Sequence, residues 1–222
     1  MSPELRPSIA IVDYGMGNRR SVEKALAHVG ADAVITADHE ALYGADAIVL
    51  PGVGAFPKGM QNLRAAGLET PLRELAASGR PLLGICLGMQ LLFESSSELA
   101  DRTPGLGLIG GHVRELRAGG LRVPHIGWNE VRLEAASPLT AGLAAGGAPF
   151  YHVHSYVADG VRAEDLIGSA EYGERFPTIV ANGSVFGTQF HPEKSSRDGL
   201  TLLAAFVRMA ATRSADPEAV NA

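Results

Sequence analysis

One segment, residues 81–90, constrains the fold of this chain more than any other. Pro81–Ile85 is apolar and of strand length, and it predicts a buried β-strand. Cys86 follows at once, with Gly84 two residues before it and Gly88 two residues after it. This G-x-nucleophile-x-G spacing is typical of a nucleophile elbow, in which glycines make room for a strained nucleophile at a strand-to-helix turn. The segment therefore predicts an α/β fold with the Cys86 sulfur presented at the end of a strand.

The residues after Cys86 predict the second half of this elbow. The apolar side chains within Met89–Phe93 indicate the start of a helix. Cys86 would then lie at a helix N-terminus, whose partial positive charge favours a thiolate. The backbone N–H of Leu87 would be free to bind an oxyanion. A single cysteine between Ile85 and Leu87 is equally consistent with a buried, inert side chain, so the elbow alone leaves both interpretations open.

The composition is that of a globular protein with a large core. The 222 residues, 46% of them hydrophobic and 19% charged, are enough for one large α/β domain or two small ones. The net charge of −5 gives no electrostatic reason to expect nucleic acid or an anionic membrane as a partner. No apolar run has the length of a membrane span, and we expect no signal peptide in residues 1–7. The single cysteine excludes an internal disulfide and fits a cytoplasmic protein.

The first half of the chain alternates short apolar segments with helical ones. The predicted strands are Ser8–Asp13, Ala33–Thr36, Ala45–Leu50 and Pro81–Ile85. Strands and helices at this spacing indicate βαβ units, a parallel sheet and a ligand site at the carboxyl ends of the strands. Gly52, Val53 and Gly54 follow the third strand, so we expect them to face the same crevice as Cys86. The two glycines allow a backbone amide to point at a ligand, although an ordinary strand-to-helix turn explains them equally well.

The second half of the chain, from Gly105 onward, is rich in glycine and in short β-like segments. Strands are predicted at His112–Leu116, Trp128–Leu133, Phe150–Val157, Ile167–Tyr172, Pro177–Ala181 and Ser184–Phe190. These strands either extend the sheet or form a second, partly antiparallel layer, and a last helix is predicted at about Asp198–Ala211. We therefore expect one domain at residues 8–211, with a largely parallel central sheet flanked by helices. Residues 1–7 and 212–222 are expected to be disordered tails.

A histidine and a glutamate follow the last predicted strand. His191 and Glu193 are two residues apart on an extended segment, so their side chains point the same way and the carboxylate can orient the imidazole. His191 could then accept the Cys86 proton, which makes a Cys–His–Glu triad. A purely structural role for His191 is an equal alternative from this segment alone. His152 and His154 could be two metal ligands on one strand face, but no third ligand lies near them in sequence, so no metal site is predicted.

Three separated motifs carry a resemblance to a known family. They are Pro51-Gly52-Val53-Gly54, the segment Gly84–Gln90 and His191-Pro192-Glu193, in that order along the chain. Together they resemble the motifs of the class I, or triad, glutamine amidotransferases. The similarity implies the flavodoxin-like α/β fold of that family with a β-rich C-terminal half.

Within that family, the chain is similar to the glutaminase subunits of imidazole glycerol phosphate synthase, which serve histidine biosynthesis. The segments that carry this narrower similarity are Asp13–Asn18, Gly127–Asn129, His154–Tyr156 and Gln189–Ser195. The resemblance covers about Ile9–Val207. Two positions depart from it: Arg19 replaces a residue that is usually apolar, and Gly187 replaces a frequent alanine.

The resemblance implies a reaction and a role for each site residue. Cys86 would attack the side-chain amide of L-glutamine, His191 would protonate the leaving ammonia, and Glu193 would orient His191. Water would then hydrolyse the glutamyl thioester, and no cofactor is needed. The oxyanion would be bound by the amides of Val53 and Leu87. The residues expected around the glutamine are Gly52, Gly54, Gln90, Glu98, Ser155 and Tyr156.

The resemblance also implies a partner. Ammonia would pass to a (β/α)₈-barrel cyclase subunit in a heterodimer, where it would convert a phosphoribulosyl carboxamide nucleotide into imidazole glycerol phosphate and AICAR. Asn18, Trp128 and Lys194 are the expected partner contacts. Because a free-running glutaminase would waste glutamine, we expect the amide in Gly52–Gly54 to stay misaligned until partner and nucleotide bind. This expectation depends on the flexibility of those glycines.

Several other functions remain open at this point. The nearest is another triad amidotransferase that feeds anthranilate, GMP or carbamoyl phosphate synthesis, and a glutaminase of pyridoxal phosphate synthesis is a further one. The Asp13–Asn18 loop and Gly127–Asn129 argue against both. A cysteine-dependent peptidase or chaperone-like hydrolase would have no use for a paired His191 and Glu193 so late in the chain. A regulatory binding module would carry an inert Cys86, which thiol reactivity distinguishes from a catalytic one.

Overall fold

A nine-stranded sheet forms the centre of the molecule. The computed structural model describes residues 6–99 and 102–214. The strands lie in the order β2-β1-β3-β4-β13-β12-β11-β8-β9. The first four are β1 (Ser8–Val12), β2 (Asp32–Thr36), β3 (Ala47–Gly52) and β4 (Leu82–Cys86). These strands are parallel to one another, and β13 (Val185–Thr188) is parallel to β4. The predicted parallel sheet of alternating strands and helices is confirmed.

Helices cover both faces of this parallel half. They are α1 (Arg19–His28), α2 (His39–Gly44), α3 (Phe56–Ala65), α4 (Glu69–Ala77), α5 (Leu87–Leu91) and α6 (Ser196–Ser214). None of the helices within the described ranges has the length and apolarity that crossing a membrane requires. The short helix α2 has no counterpart in the expected elements. It begins after Asp38, whose side chain accepts the N–H of Ala41 and caps the helix.

The apolar residues of the strands divide between two cores, one on each face of the sheet. Ile9 and Ile11 of β1 belong to one core, which α1 and α6 complete, whereas Ala10 and Val12 belong to the other, which α3 and α4 complete. This division follows from the alternation of side chains along a strand. Strands covered on both faces are apolar throughout, as β3 is along all six residues.

The β-rich half both extends the central sheet and builds a second one. Antiparallel strands β8 (His125–Leu133), β9 (Ala148–His154), β11 (Leu166–Tyr172) and β12 (Glu174–Asn182) extend the central sheet. A separate four-stranded sheet has the order β10-β7-β5-β6. Its strands are β5 (Phe93–Ser96), β6 (Thr103–Pro104), β7 (Ile109–Glu115) and β10 (Tyr156–Asp159). Both arrangements left open by the sequence are therefore present.

Most predicted strands begin or end a few residues away from the observed ones, and three elements differ in ways that affect the topology or the chain end. The helix expected to run on through Phe93 ends at Leu91, because Phe93 starts β5 and pairs with Ile109 in the second sheet. The single strand predicted at Phe150–Val157 is divided at Ser155 into two strands that belong to different sheets. The last helix continues to Ser214, into the predicted C-terminal tail. The rest of that tail and residues 1–5 lie outside the described residues.

Candidate active site

Cys86 lies at a strained turn between β4 and α5. Its backbone has φ 55° and ψ −111°, a region that residues other than glycine rarely adopt. A Cβ atom at Gly88 would lie 1.7 Å from the carbonyl oxygen of Leu50, and one at Gly84 would lie 2.7 Å from the backbone of Gly88. Both glycines are therefore required by close backbone approach. The predicted elbow is present in full, with the sulfur in a cavity although Cys86 is only 6% exposed.

His191 joins the elbow to a buried carboxylate. Its Nδ1 lies 2.9 Å from Oε1 of Glu193, and the two side chains are 4% and 1% exposed. Cys86 is the second group that acts on the imidazole, and both side chains line the same cavity. Burial lowers the pKa of His191, but the hydrogen bonds to Cys86 and Glu193 and the negative charges of both groups outweigh it and raise the pKa to about 9. The buried carboxylate thus favours the cationic form of the imidazole, the form that can act as a general acid.

The backbone around His191 is fixed by a short network. The N–H of His191 donates to the carbonyl of Tyr151 in β9 at 3.0 Å. The hydroxyl of Ser195 donates to the carbonyl of His191 at 2.7 Å and accepts the N–H of Tyr151 at 3.0 Å. These bonds tie the triad histidine to the antiparallel half of the sheet. Neighbouring elements thus hold the base in place opposite the nucleophile on β4.

A cavity of about 300 Å³ opens onto the Cys86 sulfur. Ten of its lining residues are ones that the sequence singled out: Val53, Gly54, Cys86, Leu87, Gln90, Glu98, Ser155, Tyr156, His191 and Lys194. Pro124, Val153 and His154 complete the lining and were not expected there. The volume is at the lower end of the range for small-molecule sites, which suits a ligand the size of an amino acid.

The segment after β3 runs alongside the nucleophile. Gly52 pairs with Cys86 in the parallel ladder, and beyond it Val53 is 44% exposed at the cavity. Gly52 itself is buried beneath the cavity wall, where an added Cβ would lie 2.5 Å from the Tyr14 hydroxyl. That hydroxyl donates to the carbonyl of Pro51 at 2.8 Å, and burial holds the pKa of Tyr14 above its usual range. Sequence reasoning missed this role of Tyr14, which anchors the base of the glycine segment.

The polar residues of the cavity are held by backbone contacts. The side-chain amide nitrogen of Gln90 donates to the carbonyl of Tyr156 at 3.1 Å. Glu98 accepts the N–H of Phe56 at 2.7 Å, which ties it to the start of α3. Burial raises the pKa of Glu98, and this hydrogen bond partly offsets the effect. Ser155 lies at the crossover between the two sheets, next to Tyr156.

Of the three predicted partner contacts, one lines the cavity. Lys194 is exposed and lines the cavity. Trp128 lies outside the lining, is 53% exposed and packs edge-to-face on Tyr151. Asn18 precedes α1 and is partly exposed, also outside the lining. The neighbouring Arg19 forms an ion pair with Asp13, so this departure from the family pattern has a local partner.

The second departure, Gly187, faces the helix of the elbow. A Cβ atom at this position would lie 2.6 Å from Cγ of Met89 and 3.0 Å from a methyl carbon of Val180. The space that an alanine would use is therefore taken by Met89. Since Met89 belongs to α5, the glycine at position 187 leaves room for the side chain that packs beneath the elbow.

Three buried histidines form a cluster behind the cavity. Nδ1 of His125 lies 3.3 Å from Nε2 of His154, and His152 contacts the Phe150 carbonyl and the Thr178 hydroxyl at 3.0 and 2.9 Å. Burial lowers the pKa of all three, to about 3 for His152 and well below the usual range for His154. The two histidines weighed as metal ligands are thus neutral side chains that bond to protein atoms.

Comparison with known proteins assigns this chain to a class. The family model described as "Glutamine amidotransferase class-I" matches residues 10–210 of the 222. A solved structure of a glutamine amidotransferase superposes on the chain with a TM-score of 0.70 at 24% identity, covering 90% of this chain and 98% of the other. The structure of PurLQS from Thermotoga maritima superposes with a TM-score of 0.72 at 19% identity, covering 96% and 100%. The chain belongs to the class-I glutamine amidotransferases.

Curated relatives narrow the assignment further. The imidazole glycerol phosphate synthase subunit HisH of Bacillus cereus is 51% identical over 198 residues, which cover 89% of this chain and 93% of the relative. The HisH subunit of Symbiobacterium thermophilum is 50% identical over 203 residues, with coverages of 90% and 93%. At this identity and coverage, the chain falls among the HisH subunits within its family. The narrower resemblance inferred from the sequence is confirmed.

Proposed function

We propose that this chain hydrolyses L-glutamine through a Cys86 thioester and supplies the ammonia to a cyclase subunit of imidazole glycerol phosphate synthase. The main observation in support of this proposal is the buried triad. Cys86 is at a strained elbow, His191 lines the same cavity, and Glu193 lies 2.9 Å from Nδ1 of His191. Such an arrangement suits acyl transfer through a sulfur nucleophile.

In the first half of the reaction, the Cys86 thiolate attacks the side-chain carbonyl carbon of glutamine. A bond forms between sulfur and carbon, and the carbonyl oxygen takes the negative charge. The N–H of Leu87 is one donor for this oxyanion, because the first amides of a helix have no partner within the helix. An amide of Val53 or Gly54 is the second. The carbon–nitrogen bond then breaks as the imidazolium of His191 gives its proton to the leaving ammonia.

In the second half, water attacks the thioester. His191, now neutral, removes a proton from the water, and the carbon–sulfur bond breaks to release glutamate. The thiolate and the imidazolium are restored together. Glu193 remains an anion throughout and keeps the imidazole in the tautomer and orientation that both steps need.

The surface beside the triad supports a protein partner for the ammonia. Ile126 and Trp128 are two residues apart on β8, so they lie on one face of the strand, and they are 59% and 53% exposed. Val53 adds a third exposed apolar side chain at the cavity. Ile126 pairs with Val153, which lines the cavity, so this face adjoins the site, and exposed apolar side chains grouped in this way mark an interaction surface. We assign this face, together with Lys194 and Asn18, to a (β/α)₈-barrel cyclase subunit in a heterodimer.

The glycine segment is the element that we propose as the gate. Gly54 has φ +114°, a backbone conformation accessible chiefly to glycine, whereas Pro51 is anchored by Tyr14. A peptide between an anchored and an adaptable residue can rotate without disturbing β3. Partner binding at the exposed Val53 would then select the orientation in which the amide faces the oxyanion.

The test is ammonia release from glutamine by the chain alone and with a cyclase subunit plus its nucleotide ligand. A Cys86→Ala variant is the control in both conditions. Little release alone and a large Cys86-dependent rise with the partner are expected. High release by the chain alone would preserve the glutaminase chemistry and refute the gate. No release in either condition from a folded chain with an unreactive Cys86 would refute the proposed function.

A further inference from the structure

Gln189 contacts the nucleophile from inside the protein. Its side chain is fully buried, and its Nε2 lies 3.9 Å from the Cys86 sulfur. It is the residue that follows β13 and precedes Phe190, and its own N–H donates to the carbonyl of Thr178 at 2.9 Å. The triad mechanism uses Cys86, His191 and Glu193 and assigns no task to this amide. A buried amide needs hydrogen-bond partners, and here one of them is the reacting atom.

A backbone carbonyl determines which end of the Gln189 amide faces the sulfur. Gln90 lies 3.1 Å from the carbonyl oxygen of Tyr156, and since a carbonyl only accepts, the Gln90 nitrogen must point there. The second hydrogen of that nitrogen is directed at the Gln189 oxygen, 3.0 Å away. The Gln189 nitrogen is therefore left on the side of Cys86. The Gln90 nitrogen thus donates both to the Tyr156 carbonyl and to the Gln189 oxygen, and the Gln189 nitrogen donates to the sulfur, so the orientation of each amide is fixed.

The other neighbour of the sulfur distinguishes the two protonation states of Cys86. The carbonyl of Val153 lies 3.7 Å away and can only accept, so it matches a protonated thiol. An amide N–H can only donate, so it matches a thiolate. Deprotonation of Cys86 therefore weakens the contact with Val153 and strengthens the one with Gln189, because hydrogen bonds to charged groups are the stronger kind.

We propose that Gln189 is a positioning residue that donates a hydrogen bond to the Cys86 thiolate and is itself oriented by Gln90. The relay joins the carbonyl of Tyr156, beside the cavity, to the nucleophile. Through it, a contact made at the cavity wall affects the group that reacts. The part of the inference that concerns glutamine turnover depends on the proposed function, whereas the part that concerns the thiolate does not.

The single cysteine of the chain makes a direct test available. Alkylation by iodoacetamide reports Cys86 alone, and its rate is measured from pH 5 to 10. The variant Gln189→Met keeps the length of the side chain and removes its donor. We expect the midpoint of the rate profile to move up by about one pH unit, a roughly tenfold loss of thiolate at a pH below the midpoint. A variant that folds and keeps the wild-type midpoint would overturn the proposal.

A neighbouring buried residue gives the matched control. Thr188 is also fully buried and donates to the Phe190 carbonyl at 3.2 Å, without a contact to the sulfur. Thr188→Val removes a buried hydrogen bond at the residue next to Gln189 and should leave the alkylation midpoint in place. An equal shift in Thr188→Val and Gln189→Met would show that packing rather than the donor is responsible, and would overturn the proposal.

A second variant keeps the test decisive if Gln189→Met does not fold. Gln189→Glu places an oxygen where the amide donor was. The midpoint of its alkylation profile should therefore lie above that of the wild type. If both variants fold, it should also lie above that of Gln189→Met. A folded Gln189→Glu with an unchanged or lower midpoint would refute the assignment. In the complex with a cyclase subunit, Gln189→Met should lower kcat for glutamine more than it raises KM. Wild-type protein that releases no ammonia while the alkylation shift is present would refute the proposed function and leave this inference intact.

Discussion

Replacing Glu193 with glutamine separates the charge of the triad carboxylate from its hydrogen bond. The carboxamide oxygen can still accept from Nδ1 of His191, 2.9 Å away, but the negative charge is gone. In the wild-type protein, the pKa of His191 rises from 6.5 to about 9. This difference corresponds to a net preference for the imidazolium of about 3 kcal/mol. The structure thus predicts a loss of charge stabilisation in Glu193→Gln with little loss of geometry.

The size of the effect follows from the causes of the raised pKa. Burial acts against the imidazolium, and the groups that favour it are Cys86 and Glu193, each by a hydrogen bond and by charge. Glu193→Gln replaces a hydrogen bond to a charged oxygen with one to a neutral oxygen, a difference of about 1 kcal/mol or more. The pKa of His191 should therefore fall by about one pH unit, which is about tenfold in the imidazolium population.

The assay is an NMR titration of protein labelled with ¹⁵N-histidine. The His191 signals are assigned by their loss in a His191→Asn variant, and their midpoint is compared in wild-type and Glu193→Gln protein. Glu94→Gln, which removes the same charge from an exposed position on β5, is the control and should leave the midpoint unchanged. Midpoints that agree within about 0.3 pH units between Glu193→Gln and the wild type would refute the reasoning. Glutaminase activity at neutral pH should fall at least tenfold in the same variant.

Three further predictions concern the elbow, the partner face and acid stability. Gly88→Ala should yield no folded protein, because its Cβ would lie 1.7 Å from a backbone oxygen, whereas Gly44→Ala, with open space around it, should fold normally; circular dichroism and thermal unfolding compare the two. Trp128→Ala should weaken cyclase binding at least tenfold in calorimetry without changing the Tm of the isolated chain, because the ring is 53% exposed. His152→Phe should flatten the loss of stability in acid, measured by urea unfolding between pH 7 and 4. The pKa of His152 is depressed to about 3, so below pH 6.5 the unfolded chain binds a proton that the folded chain does not, and stability falls by up to about 1.4 kcal/mol per pH unit.

Each of these predictions has an outcome that would contradict it. A folded Gly88→Ala protein would show that the turn can move away from β3. Unchanged cyclase affinity in Trp128→Ala would remove the aromatic side chain from the proposed interface. For His152→Phe, the decisive quantity is the slope of stability against pH, since the absolute stability also reflects packing. An unchanged slope would mean that His152 takes up a proton without unfolding.

Much of the expected site could be predicted because the spacing of residues within short motifs specifies the local backbone geometry. The two glycines around Cys86 specify a turn that only a backbone without Cβ atoms can make, and the structure shows the atoms that they avoid. The alternation of short apolar strands with helices specifies a parallel sheet, whose carboxyl edge collects the residues that follow each strand. For this reason, Cys86 and the segment Gly52–Gly54 were expected in one crevice, and they are neighbours in the ladder.

Other features depend on contacts between distant parts of the chain, which local pattern does not encode. The helix after Cys86 ends at Leu91 because Phe93 pairs with Ile109 across the second sheet, although an apolar run of that kind also suits a longer helix. Likewise, Ser155 divides an apparently continuous strand because the two halves find partners in different sheets.

The surroundings of Cys86 likewise combine features that local spacing predicts with contacts that form only in the folded chain. The three motifs taken together, with the family that they resemble, predicted the triad and its order, although the spacing around Cys86 or His191 alone left a structural role open. The contact of Gln189 with the sulfur arises only in the folded chain, because it requires α5, β10 and the end of β13 to converge on one buried point. The side chain of a residue in a strand has a known face but no known neighbour until the sheet is assembled.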